Sequence, residues 1–88
     1  MNRPLGIRKR DRLGIMAEIL SMTNHDKKKT HIINKCNLSS KMFQRYSETL
    51  LDKGLIAVEN NSGGTFYRTT DKGQDFLRRY EKINEILL

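Results

Sequence analysis

Eighty-eight residues allow one domain, because two separate cores would each sit near the lower size limit for independent folding. A hydrophobic fraction of 36% makes the core of a monomer thin, while 31% charged residues and a single proline exclude a low-complexity disordered chain. The net charge of +7 is uneven, with nine Lys/Arg against three Asp/Glu in residues 1–35, four against three in 36–69 and four of each in 70–88, which favours a polyanionic partner.

From about Arg8 to Met22, Leu13, Met16, Ile19 and Leu20 recur at three- and four-residue steps, with Ile15 widening the stripe. This spacing predicts an amphipathic helix that sends Leu13, Met16 and Ile19 to the core and leaves Arg8, Lys9, Arg12 and Glu18 wet. Gly14 inside it costs roughly 1 kcal/mol against alanine, so a close helix contact is expected there. Glu18 interrupts the apolar run and no small-residue cleavage site follows, which argues against a signal peptide. No segment approaches the ~20 apolar residues of a membrane span, so a soluble protein is expected.

"TNHDKKK" is a polar loop, and Thr30 is the expected N-cap of a short helix carrying Ile32, Ile33 and Cys36. Cys36 is the only cysteine, so neither an intramolecular disulfide nor a cysteine-based metal site is available, and a reducing cytoplasm is the expected setting. It reads as a small core residue. His25 and His31 have no acidic or thiol partner at ligand spacing, so no metal and no cofactor is expected.

"NLSS" ends that helix, and Ser39 or Ser40 caps the next one. Met42, Phe43, Tyr46, Leu50 and Leu51 form its inward stripe and leave Lys41, Gln44, Arg45, Glu48 and Asp52 outside. Gly54 is the expected left-handed residue after its end. "LIAVE" and "TFYRT" flank "NNSGG" as a hairpin. Asp71 with Gln74 resembles a capping box, with Thr70 as the competing cap of a final helix over about 71–87. In that helix Phe76, Tyr80, Ile83 and Leu87 follow a heptad spacing over two repeats. The helix either packs on its own domain or pairs with a second copy, and pairing is the preferred reading.

Helix, helix, tight turn, helix, hairpin, helix is the layout of a winged helix, whose second paired helix enters the major groove while the hairpin reaches the neighbouring backbone or minor groove. The expected fold is α+β, mainly α: three helices plus a β-hairpin wing over residues 1–70, and a C-terminal coiled-coil-like dimerisation helix over 71–88 of the same domain. "NLSSKMFQRYSETLLDKGLI" with "YRTTDKGQDFL" closely resembles archaeal winged-helix transcription regulators, and among them the short one-domain kind exemplified by the small basic DNA-binding proteins of Sulfolobus. The resemblance covers residues 30–77 and the last helix in outline. It implies a nucleoid-associated homodimer that binds double-stranded DNA. In two respects the chain departs from the pattern: the wing tip has no basic residue, and Glu48 and Asp52 balance Lys41 and Arg45.

Ser39, Ser40 and Lys41 stand at a helix N-terminus, where unpaired N–H groups and the dipole favour a phosphate. Gln44 and Arg45 lie one turn further in, and Arg on guanine or Gln on adenine discriminates by ~1–3 kcal/mol per good pair. Lys28, Lys29 and Thr30 lie near the backbone, Asn61 and Ser62 at the wing tip, and Arg68 on the outward side of its strand. Capping alone also accounts for one of the serines, and a solvated loop for "KKK". No nucleophile–base pair or phosphate-cradling loop exists, so an enzyme is not expected. The alternatives to a sequence-related regulator are a general chromatin-type DNA-binding protein and a winged-helix protein-interaction module.

Overall fold

A computed structural model of the protein describes residues 11–87. The Asp11 carboxylate accepts a hydrogen bond from the Gly14 N–H at 2.7 Å, which satisfies a first-turn amide and starts helix α1 (Arg12–Met22). The expected start at Arg8 is thus corrected to Arg12, and Arg8 and Lys9 lie outside the described residues. Ile15, Ala17, Ile19 and Leu20 are buried. Leu13, expected in the core, is 50% exposed. It shares the angular position of Leu20 but stands two turns earlier, where the core cluster beginning at Ile15 has ended.

The expected polar loop contains a strand. Lys27 and Lys28 form β1 (Lys27–Lys28) by pairing antiparallel with Tyr67 and Phe66. That pairing holds Lys28 extended as the N-cap of α2 (Lys29–Lys35), with no side-chain cap. Thr30 is therefore the second residue of the helix, not its cap. Ile32 and Cys36 are buried, and Ile33 packs at their edge.

Helix α2 ends at Asn37, at φ 55°, where the Leu38 N–H reaches the Ile33 carbonyl at 3.0 Å and the Asn37 N–H the Asn34 carbonyl at 3.3 Å. Ser39 then caps α3 (Ser40–Asp52) by accepting the Met42 N–H at 3.1 Å, so Ser40 is the first helical residue. The same ending closes α3: Gly54 has φ 72°, its N–H reaches the Leu51 carbonyl at 3.0 Å, and Leu55 reaches Leu50 at 2.8 Å. Both are Schellman endings, and in each the following leucine, Leu38 or Leu55, is buried as that motif prefers. On the inner side of α3, Phe43, Ser47 and Leu50 are buried while Met42, Tyr46 and Leu51 line the rim.

Strands β2 (Ile56–Asn61) and β3 (Gly64–Thr69) form the hairpin, and the sheet order is β1-β3-β2. Asn61 pairs with Gly64, so the turn is the two residues Ser62 and Gly63, tighter than the five-residue connection expected. The Asn61 side-chain oxygen accepts the Gly63 N–H at 2.8 Å and holds that turn. At the base of the hairpin the buried Thr23 and Thr69 hydroxyls lie 2.7 Å apart. Thr69 also donates to the Leu20 carbonyl at 2.6 Å, and its N–H reaches the Thr23 carbonyl at 2.8 Å. This knot ties β3 to the end of α1.

Of the two caps open for α4 (Asp71–Leu87), Thr70 is the one used: its hydroxyl accepts the Gly73 N–H at 3.1 Å. Gln74 instead bonds Asn24. Phe76 packs on the core, and Tyr80 stacks parallel to it at 6.4 Å between centroids. A Cβ on Gly14 would meet the Tyr80 hydroxyl at 3.4 Å, so the expected close helix contact is present and α4 is its partner. Beyond Tyr80 the helix runs on with Ile83, Ile86 and Leu87 exposed. Extents of 49 × 26 × 19 Å reflect that projection. No helix among the described residues is long and apolar enough to cross a membrane.

Candidate nucleic-acid interface

Helix α3 presents Lys41, Gln44, Arg45, Glu48 and Asp52 to solvent, because its apolar residues occupy the opposite side at three- and four-residue steps. Ser39 uses its hydroxyl on Met42, which leaves the N–H groups of Ser40 and Lys41 at the helix mouth without intrahelical partners. Gln44 and Glu48 touch weakly at 3.4 Å along the same face. Among the described residues no carboxylate forms an ion pair with Lys41 or Arg45.

The angle between α3 and the wing is set by an aromatic contact. Phe43 on α3 and Tyr67 on β3 meet edge to face at 5.3 Å and 87°. Burial pushes the Tyr67 phenol above its ordinary pKa. Successive β3 residues face opposite ways, so Phe66 and Arg68 lie on the outer face with Lys28, the partner of Phe66 across the β1–β3 pair.

Lys28 answers the absence of a basic residue at the wing tip. Its ammonium lies 5.7 Å from the Phe66 ring centroid, and a Cβ on Gly64 would meet the end of its side chain at 3.6 Å. The cation beside the tip therefore comes from β1, far away in sequence. Asn61 and Ser62 are exposed at the tip, and Lys29 and Thr30 are exposed in the first turn of α2.

Arg68 is exposed but engaged: its Nε and a terminal nitrogen donate to the two Asp26 carboxylate oxygens at 2.8 and 3.0 Å. Those hydrogen bonds, and the charge of Asp26, hold its guanidinium above the ordinary arginine range. On α4, Arg79 and Arg78 both donate to Asp75 and hold that carboxyl below its usual range. Lys27, Lys28, Lys29 and Lys35 form no ion pair among the described residues. Thus Lys27, Lys28, Lys29, Lys35 and Lys41 place unpaired cations on β1, α2 and the start of α3. The structure places Ser39, Ser40, Lys41, Gln44 and Arg45 on one surface and Lys28, Asn61 and Ser62 around the wing. Lys35 and His31 were not read from the sequence as DNA contacts; no local pattern marks them so, because only the β1–β3 pairing brings the wing strand beside them.

A model of the winged helix-turn-helix family matches residues 9–87, from the first helix to the last. The chain belongs to the winged helix-turn-helix family. Its structure is similar to that of Sso10a-2, a DNA-binding protein from Sulfolobus solfataricus, with a TM-score of 0.81 and 22% sequence identity. The match covers 88% of this chain and 81% of that one. No curated protein matches it. Within this winged helix, α2 and α3 are the helix–turn–helix pair, the β2–β3 hairpin is the wing, and β1 is the third strand that braces the wing.

Proposed function

We propose that the protein is a homodimeric winged-helix regulator that binds double-stranded DNA, with α3 in the major groove and the hairpin tip on the adjacent backbone or minor groove. The observation that carries this reading is the outer face of α3. Free N–H groups at Ser40 and Lys41 stand where a phosphate docks, and Gln44 and Arg45 follow one turn into the helix. Glu48 and Asp52 fall in the half of α3 that leaves the groove. Sso10a-2, a DNA-binding protein of the same fold, supports the reading.

Lys28 beside the wing and Lys29 with Thr30 at the start of α2 supply backbone contacts, which carry affinity without sequence information. Asn61 and Ser62 meet the backbone through side-chain and peptide groups. Arg68 reaches a phosphate only by exchanging Asp26 for it. Pairing through α4 rests on the apolar end that the protomer leaves exposed: Ile83 at 55%, Ile86 at 81% and Leu87 at 74%. Phe76 and Tyr80, also in the heptad seam, pack within the protomer and support the projecting end.

One observation favours a second reading, a general DNA-coating protein. The α3 face carries balanced charge and spends Gln44 partly on Glu48, whereas Lys27, Lys28, Lys29 and Lys35, unpaired among the described residues, stand away from it. Arg45→Ala decides between the two. If α3 reads bases, the variant loses preference for a selected site by about 10-fold or more while its affinity for random duplex changes little, and Lys28→Ala weakens binding to all duplexes alike. Equal loss on every duplex from Arg45→Ala would contradict base reading and leave the DNA-coating role.

A further inference from the structure

Between α2 and the outer face of the sheet lies an open cleft of about 680 Å³. Lys27, Lys28, His31, Asn34, Lys35 and Phe66 line it, with Thr30 at one side. Its lysines come from two elements, Lys27 and Lys28 of β1 and Lys35 at the end of α2, which the β1–β3 pairing brings beside Phe66. The one carboxylate on its wall is Asp26, and both of its oxygens are occupied by Arg68. A cleft for a cation would leave that carboxylate open. Here it is neutralised, while the three lysines of the lining form no ion pair among the described residues. Thr30, His31 and Asn34 add polar groups able to hydrogen-bond an anion's oxygens.

We infer that this cleft binds the phosphodiester backbone of DNA beyond the segment contacted by α3 and the wing, with Lys35 and His31 extending the contact that begins at Lys28. The inference rests on the DNA-binding reading above and adds a backbone site to it. A charge-complementary groove suits a repeating phosphate chain, because each lysine that neutralises a phosphate releases a condensed counterion. It also supplies the sequence-independent part of the affinity that the charge-balanced α3 face lacks.

The test is the salt dependence of binding to a random-sequence duplex, measured for the full chain and for Lys35→Gln, with Lys82→Gln on α4 as a charge-matched control. Lys35 is exposed and its replacement removes no buried contact. The expected result is a log K against log salt slope shallower by about one unit for Lys35→Gln, with about 3- to 10-fold weaker binding, and no slope change for Lys82→Gln. Wild-type binding with an unchanged slope in Lys35→Gln would overturn the cleft assignment and leave the DNA-binding reading standing. Wild-type failure to bind any duplex at low salt would overturn both. An amide chemical-shift titration with inorganic phosphate separates a backbone groove from a small-anion pocket. Weak, non-saturating shifts at Thr30, His31 and Asn34 are expected of the groove, and saturation at micromolar phosphate would overturn it.

Discussion

Gly73 illustrates how one position fixes the seat of a helix. A Cβ there would come 2.1 Å from the Leu55 carbonyl oxygen and 2.5 Å from the Thr69 methyl, so the first turn of α4 lies directly against the base of the wing. Helix propensity alone makes Gly→Ala favourable by about 1 kcal/mol. The steric overlap reverses the sign, and Gly73→Ala is expected to destabilise by about 2 kcal/mol or more in urea unfolding; a stabilised variant would contradict this packing. Tyr67 carries a pH signature. Its folded pKa is raised above the ordinary 10.0 by burial, so its contribution to stability is full below about pH 10 and is lost as pH climbs through the folded value. Relative to Tyr67→Phe, the wild type is therefore expected to lose stability only on the alkaline side, and a constant difference through that range would argue against the burial. At this scale the sequence was partly legible. Ser39, Gly54 and the α3 stripe follow from local chemistry within one turn. Leu13 and Thr30 do not, because the end of the core and the pairing of β1 decide them.

Among elements, the helix–turn–helix was the most readable part, since "NLSS" and "DKGL" hold their own turn chemistry in a few adjacent residues. Both helices end in the same Schellman geometry, which orients α3 with its polar residues outward and its Phe43 face inward. Strand β1 was unreadable for the opposite reason. Two lysines have no strand propensity of their own, and their partners Tyr67 and Phe66 lie almost forty residues away. The wing was legible as a hairpin, though not in the tightness of its turn. Its attachment to α1 depends on the buried hydroxyl knot of Thr23 and Thr69. Thr69→Val leaves the Leu20 carbonyl without that partner and is expected to cost about 1–3 kcal/mol, while Thr69→Ser, which keeps the hydroxyl, costs less. A larger loss from Thr69→Ser than from Thr69→Val would show that the methyl group, and not the hydrogen bonds, holds the wing.

At the scale of the whole molecule, charge and apolar surface are segregated. Among the described residues, unpaired Lys27, Lys28, Lys29, Lys35 and Lys41 stand on β1, α2 and the start of α3, whereas α4 has its arginines paired to Asp75, keeps Lys72 and Lys82 unpaired, and ends in exposed Ile83, Ile86 and Leu87. The charge asymmetry was visible in the sequence as counts; its concentration beside the wing required the fold. The heptad spacing of α4 was equally visible, but its division into an inner half that packs on α1 and an outer half that projects was not. If the outer half pairs two protomers, Ile83→Glu yields a folded monomer by sedimentation equilibrium, and a wild type that is itself monomeric at high concentration would exclude the pairing. On the function proposed above, this winged helix binds duplex DNA through phosphate neutralisation. Fluorescence anisotropy of a random-sequence duplex pool, titrated with the protein at several salt concentrations, tests it most directly. Saturable binding at low salt that weakens steeply and linearly in log K against log salt is expected. An absence of binding even at low salt would contradict it and turn attention to a protein partner for α4.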